Sequence, residues 1–352
     1  MKGRYIPFFV CTLLLVIMIS TAVIKPSPIT IEIPQGWPQP TNNPFTKNIL
    51  TEEGFQLGRK LFYDSRLSKD STVSCASCHQ QFSGFATFDH DVSHGINNGL
   101  TTRNAPGLLN LVWMSTYHWD GGITSLETQA LSPLTAPNEM GETAEGAVAK
   151  IKSDPDYVKM FHAAFGSKKI TEKRMLNALA QFTSTLVSGN SKYDKVMNGK
   201  ATFHRVEERG YTVFKKHCAT CHEEPLFTDN SFRNIGQPLN RFNDIGRMAI
   251  TKNPKDSLLF RVPTLRNIQV TYPYMHDGSI FSVPQVIDHY RFLIDTTQPT
   301  LDPKLKSRIN ISDRERDELT YFLYTLTDST FLNNKRFSRP HNIKETQPIH
   351  LH

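Results

Sequence analysis

Apolar residues at i, i+3 and i+7 recur twice along the chain, as Leu179-x-x-Phe182-x-x-x-Leu186 and as Leu319-x-x-Phe322-x-x-x-Leu326. That spacing is the buried face of an amphipathic helix. Ser312 followed by Glu315 reads as a capping box that starts the second of these helices. Two other helical stretches carry a glycine beside apolar residues, Gly58 with Leu61 and Phe62, and Gly210 with Val213 and Phe214. A glycine on such a face lets another backbone come close. Few segments alternate with period two, and Gly and Pro punctuate the helical stretches, so strand content is expected to be low.

These pieces form two copies of one plan. Pro106-x-x-x-Asn110 followed by Asp120-Gly121 matches Pro263-x-x-x-Asn267 followed by Asp277-Gly278. Both Asn-to-Asp intervals are ten residues, so one offset of 157 holds throughout. It sets Trp119 against His276, Leu126 against Val283 and Pro133 against Tyr290. The expectation is an all-α protein of two domains related by internal duplication, residues 49–195 and 200–330. Residues 25–48, rich in Pro and Asn, read as an extended lead-in, and 331–352 as a polar tail. A length of 352 residues suits about two domains.

At the N-terminus Lys2 and Arg4 precede an apolar run from Ile6 to Ile24. Residues 1–24 read as a signal peptide cleaved near Ala22, which would place the mature chain in the periplasm. Uncleaved, the run reaches the roughly 20 residues a membrane span needs and would anchor the protein to the inner membrane, facing the periplasm. The formal charge of +7 falls to +5 without Lys2 and Arg4, and the remaining lysines are scattered. Nucleic acid is therefore not an expected partner.

Cysteine usage sets the chemistry. Cys11 lies inside the apolar run; the other four cysteines form Cys75-Ala-Ser-Cys78-His79 and Cys218-Ala-Thr-Cys221-His222. Zinc half-sites and redox pairs also use C-x-x-C, but neither needs the histidine that follows at once in both copies. Covalent c-type haem does: two thiols bond the vinyl groups and the next residue supplies the proximal imidazole. Each domain is thus expected to be cytochrome c-like with one haem. Four haem propionates would bring the mature protein close to neutral.

A haem with two protein ligands moves electrons, whereas an open face can activate a small molecule. Met275, His289 and Tyr290 are the candidates over the iron held by His222. An ordinary packing role would also account for Met275. If residue 290 is the ligand, the matching place over the first haem holds Pro133, which has no ligating group. Gln129 and Glu139 flank that place, Glu139 as a general base and acid for peroxide cleavage and Gln129 as a group that orients the peroxide. Trp119 could carry an electron between the haems, and His94 could close the first iron in a resting state. A surface loop residue, a core indole and a loop histidine are the ordinary alternatives for Glu139, Trp119 and His94.

The stretch Gly58-Arg-Lys-Leu-Phe-Tyr-Asp-Ser-Arg-Leu-Ser, the first haem motif, Arg103-Asn-Ala-Pro, Trp119-Asp-Gly, Asn138-Glu-Met-Gly, Pro263-Thr-Leu-Arg-Asn and Pro273-Tyr-Met-His-Asp-Gly together resemble the bacterial di-haem cytochrome c peroxidases. The resemblance covers about residues 45–330. The same superfamily holds the MauG-type enzymes, which oxidise a precursor protein. The resemblance implies a peroxidatic haem at His79 and an electron-transferring haem at His222. It gives Glu139 and Gln129 the distal roles, Trp119 a place between the haems and His94 the resting ligand. It also implies that Asn104, Thr271 and Pro273 hold a calcium ion. Peroxidases carry Met where this chain has Tyr290, which is the MauG-type choice, while His94 leans towards peroxidase. The expected function is periplasmic reduction of hydrogen peroxide with electrons from a small redox protein, a cytochrome c or a copper protein. A MauG-like oxidase of a protein substrate and a non-catalytic di-haem electron carrier are the alternatives. A homodimer is kept among the expected assemblies.

Overall fold

The computed structural model describes residues 26–41, 44–341 and 343. The signal or anchor expectation for residues 1–24 lies outside the described residues; among the described residues no helix is long and apolar enough to cross a membrane. The first half is framed by helices Glu52–Tyr63 and Glu172–Ser184, which pack on each other, and the second by Arg205–His217 and Asp313–Tyr324, which do the same. Thr51 caps the first helix by accepting from the Gly54 N–H at 3.1 Å, ahead of Glu52 and Glu53 in its first turn. The capping box at Ser312 forms: Ser312 Oγ accepts from the Glu315 N–H, and Glu315 Oε2 accepts from the Ser312 N–H at 2.8 Å. Among the described residues, strand is confined to one antiparallel pair, Phe232–Arg233 with Phe260–Arg261.

The two glycines do what their sequence context implies. A Cβ on Gly58 would run into the carbonyl oxygen of Ala178, and one on Gly210 into that of Glu318. Each helix crossing is therefore closed by a glycine against a backbone carbonyl. Around the first crossing Phe55, Phe62, Phe85 and Phe182 are buried; around the second Phe214, Phe227 and Phe322 are. The ring centroids of Phe62 and Phe182 lie 5.1 Å apart, as do those of Phe214 and Phe322. Two separate cores result, one per half.

The offset of 157 holds at the level of backbone torsions. Asn110 and Asn267 have φ of +58° and +59°, His118 and Met275 +67° and +71°, Gly121 and Gly278 +70° and +67°. Tyr117 N–H donates to Ile123 at 2.7 Å, and Tyr274 N–H to Ile280 at 2.6 Å, closing the same turn in each half. Ser125 and Ser282 then start the matched short helices Leu126–Gln129 and Val283–Asp288.

Both ends of the chain stitch the halves together. In the lead-in, Trp37 packs edge-on against Trp113 at 5.1 Å and lies under the buried Arg266 guanidinium at 4.3 Å. The tail departs from expectation. Its start is not a polar appendage: Phe331 and Phe337 are buried in the core of the first half, and Tyr63 Oη donates to the Phe337 carbonyl at 2.9 Å. Two phenylalanines outweigh the polar residues around them, because burying each removes a large apolar area from water.

Gly58→Ala and Gly210→Ala are each expected to destabilise the haem-loaded protein by about 1–3 kcal/mol, the usual cost of forcing extra volume into a packed contact. Denaturant unfolding followed at the haem absorbance and by far-ultraviolet circular dichroism measures this. Gly199→Ala, where a Cβ meets nothing within 4 Å but φ is +69°, should cost less.

Candidate functional site

Both attachment motifs form a tight turn that brings the histidine back over the first cysteine. The His79 N–H donates to the Cys75 carbonyl at 2.9 Å, and the His222 N–H to the Cys218 carbonyl at 3.0 Å. Each imidazole is then held by its Nδ1. His79 Nδ1 lies 2.8 Å from the carbonyl of Phe85; His222 Nδ1 lies 3.1 Å from that of Phe227 and 3.2 Å from that of Pro263. Phe85 and Phe227 reach those positions through φ of +59° and +56°. A ring that donates from Nδ1 keeps the lone pair of Nε2 for a metal. Burial pushes His79 down to about 4 and lowers His222 as well, so both rings are neutral, as ligation requires. Burial pushes the Cys75 thiol up to about 12, Cys78 to about 11 and Cys218 to about 12. Among the described residues no cluster of His, Cys, Asp and Glu is arranged to hold a metal ion by itself.

A large, mainly apolar cavity opens over His222, with Cys218 and Cys221 in its wall. Tyr290 and Met275 both line it. Tyr290 sits in a π-helical turn, His289–Leu293, the kind of local insertion that re-aims a side chain. Its hydroxyl is pushed well above the usual phenol range, first by burial and then by the nearby Cys218 and Cys221 thiols. The same turn sends His289 elsewhere: its Nε2 lies 2.9 Å from the Ile235 carbonyl. Of the three sequence candidates, the structure therefore keeps Tyr290 and Met275 at the cavity and takes His289 away.

Near the first motif, Glu139 acts electrostatically on Cys78, and Gln129 meets His118, which in turn acts on His79. Glu139 follows the short helix Leu131–Thr135, where its N–H donates to the Ala136 carbonyl at 3.0 Å. Its side chain is half-buried, burial raises its pKa, and its charge is felt by the Cys78 thiol. His94 lies on a loop pressed against this segment. Ile96 N–H donates to the Glu139 carbonyl at 2.8 Å, and a Cβ on Gly95 would clash with the backbone of Asn138 and Glu139. His94 Nδ1 is buried without a hydrogen-bond partner, which suits a ring intended for another contact. Sequence reasoning missed His118. Its Nε2 lies 3.3 Å from Gln129 Nε2, and its charge is felt at His79.

Trp119 lies between the halves. Its Nε1–H donates to the Asn104 carbonyl at 2.9 Å, and its own carbonyl accepts from the Arg261 N–H at 2.7 Å. The matched residue His276 stacks on Phe260 at 3.7 Å. Asn104, Thr271 and Pro273, the calcium candidates, all reach the wall of the same cavity, as does Trp119. The Asn104 amide nitrogen donates to the Asp91 carbonyl at 3.0 Å, which leaves the amide oxygen as the donor a cation would take. Arg103 binds Asp244 through Nε and Nη2 at 2.6 and 2.8 Å and Asp120 through Nη1 at 2.5 Å, bridging the halves. Arg261 differs. It is 6% exposed, lines the cavity, and pairs with no carboxylate among the described residues; its Nε donates to the His118 carbonyl at 3.4 Å. A buried guanidinium left without a counter-charge is costly, commonly by about 3–5 kcal/mol. The carboxylates of a bound haem supply that counter-charge. Held imidazoles, apolar walls and a waiting cation together fit the haem.

Comparison with known proteins agrees. Residues 52–202 match the family model for di-haem cytochrome c peroxidase and residues 207–327 that for cytochrome c. The chain is 37% identical over 301 residues to the methylamine utilization protein MauG of Methylorubrum extorquens, covering 83% of this chain and 82% of that protein. It is 38% identical over 239 residues to the cytochrome c551 peroxidase of Nitrosomonas europaea, covering 66% and 71%. The crystal structure of a MauG-like protein associated with microbial copper homeostasis superposes with a TM-score of 0.82 at 33% identity, over 89% of this chain and 99% of that one. The chain belongs to the di-haem cytochrome c peroxidase family. It is a di-haem oxidoreductase built from two cytochrome c-type domains.

Two outcomes are expected. The intact mass of the purified protein should exceed that of its polypeptide by two haems. In the ferric spectrum, Tyr290→Phe should change the haem held by His222, whereas Met275→Ala should leave it unchanged; a sulfur-to-iron band lost in Met275→Ala would reverse the assignment.

Proposed function

We propose that the protein reduces hydrogen peroxide at the haem held by His79, drawing electrons from a small redox protein through the haem held by His222. One observation carries this reading. At matched places in the two halves the second domain presents Tyr290 and the first presents Pro133, with the buried carboxyl of Glu139 close by. One peroxide, two electrons and two protons give two waters. The haem irons supply the redox steps; the chain must move the protons. Glu139, uncharged more readily than an exposed carboxyl because of its burial, takes a proton from one peroxide oxygen and returns it to the other. Gln129 orients the peroxide. Trp119, hydrogen-bonded and buried between the halves, is placed to pass an electron, and His94 to close the first iron at rest. Export to the periplasm, by cleavage or with a retained anchor, and a calcium ion at Asn104, Thr271 and Pro273 complete the proposal.

Tyr290 favours a second reading, in which the oxidising equivalents are spent on a protein substrate, as the MauG relatives suggest. Steady-state peroxide-dependent oxidation of reduced cytochrome c separates the two. Rapid turnover supports the peroxidase; turnover absent with both haems loaded and peroxide consumed supports the protein oxidase. A chain whose reduced haems take no external ligand would instead be an electron carrier.

Glu139→Gln is expected to lower peroxide turnover by roughly 10²–10⁴-fold, the usual range for general acid–base catalysis, with haem content unchanged. The base form of Glu139 is lost as pH falls through its raised pKa. Wild-type activity should therefore decline at a higher pH than the ordinary carboxylate value of about 4.3 would give. A rate–pH profile of both proteins measures it.

A further inference from the structure

We propose that His118 is a positioning residue of the pocket over His79: its imidazole holds the Gln129 carboxamide so that the amide oxygen faces an incoming peroxide. This rests on the reading that the first haem is the reactive one.

The duplication places His118 in that pocket. It corresponds to Met275 and Gln129 to Val286, and both counterparts line the cavity over His222. The backbones agree, since φ is +67° at His118 and +71° at Met275 within turns closed by the same hydrogen bond. In the second domain the pair is apolar. In the first it is two polar side chains whose nitrogens are 3.3 Å apart.

An amide NH₂ can only donate, so the His118 Nε2 it meets must accept, and the ring is neutral with its proton on Nδ1. The surroundings support that form. Burial lowers the pKa of His118, and the Arg103 and Arg261 guanidiniums lower it further against the opposing carboxylate of Asp120. With the NH₂ committed to His118, the Gln129 oxygen is the end that accepts from a peroxide O–H. A protonated ring has no lone pair to offer. The amide must then turn over, give its oxygen to His118 and present NH₂ to the substrate. Acidification thus inverts the polarity of the group that receives the peroxide.

The test uses the full haem-loaded protein and hydrogen cyanide, which must give up a proton to bind ferric iron. Stopped-flow association is followed against pH in wild type, His118→Asn, His118→Phe and Glu139→Gln. Wild type and Glu139→Gln should show a fall in rate as pH drops below the ordinary imidazole range; His118→Asn, which keeps an acceptor without a titrating ring, should lose it. His118→Phe should slow binding on the order of tenfold, as removal of an outer-shell partner does. In a Gln129→Leu background the same change should have no further effect, because a positioning role needs its target. An unchanged pH profile in His118→Asn, or additive losses in the double variant, would overturn the proposal. If His118→Phe does not load haem, His118→Asn alone decides. If wild type takes up no cyanide at the first haem, the reading of that haem as reactive fails, and this inference with it.

Discussion

An imidazole has two nitrogens, and a carbonyl oxygen on one of them decides which faces the metal. In this protein those carbonyls belong to Phe85 and Phe227, each held at positive φ and each buried with no exposure in its domain's aromatic core. The proximal ligands are therefore only as well placed as the cores behind them. Those cores in turn close because Gly58 and Gly210 let the framing helices meet backbone to backbone. Ligation, ring orientation and helix crossing form one chain of dependence, and it is built twice.

What the duplication does not repeat is the distal side. The shared turn delivers His118 or Met275, and the following helix delivers Pro133 or Tyr290 at the same offset. Closely similar turns thus lead to different side chains at matched positions, Pro133 in an α-helix and Tyr290 in a π-helical turn. Substituting a few side chains on a copied scaffold costs little folding energy, because the buried faces that define each core are unchanged. The difference between the two halves at these places is therefore a matter of a few side chains and the local turn at His289–Leu293.

Much of this was legible in the sequence. Two C-x-x-C-H motifs, the 157-residue offset and the paired glycines rest on local rules, and each has a direct physical counterpart in the structure. The offset also sets Pro133 against Tyr290, and the structure puts Tyr290 at the cavity over His222. The less legible features arise from long-range packing. Nothing local marks the π-helical turn that separates Tyr290 from His289, since an inserted residue changes the period only where tertiary contacts require it. The return of Phe331 and Phe337 to the first core was hidden by polar neighbours. His118 was overlooked although the same offset sets it against Met275; attention to the Trp119–His276 match passed over the residue before it.

Charge between the halves shows how the cofactor completes the fold. Arg103 satisfies Asp120 and Asp244 with its whole guanidinium, and Arg266 satisfies Asp194, so these cations are settled by the chain itself. Arg261 is not, and burial alone drags its pKa down to about 10. The polypeptide thus carries an uncompensated positive charge beside Trp119, at the seam between the halves. Arg261 would be a group able to take a haem carboxylate, and such a pairing would remove the penalty and favour closure of the seam. Because the Arg261 N–H also bonds the Trp119 carbonyl, charge compensation at this guanidinium and contact between the halves depend on the same residue.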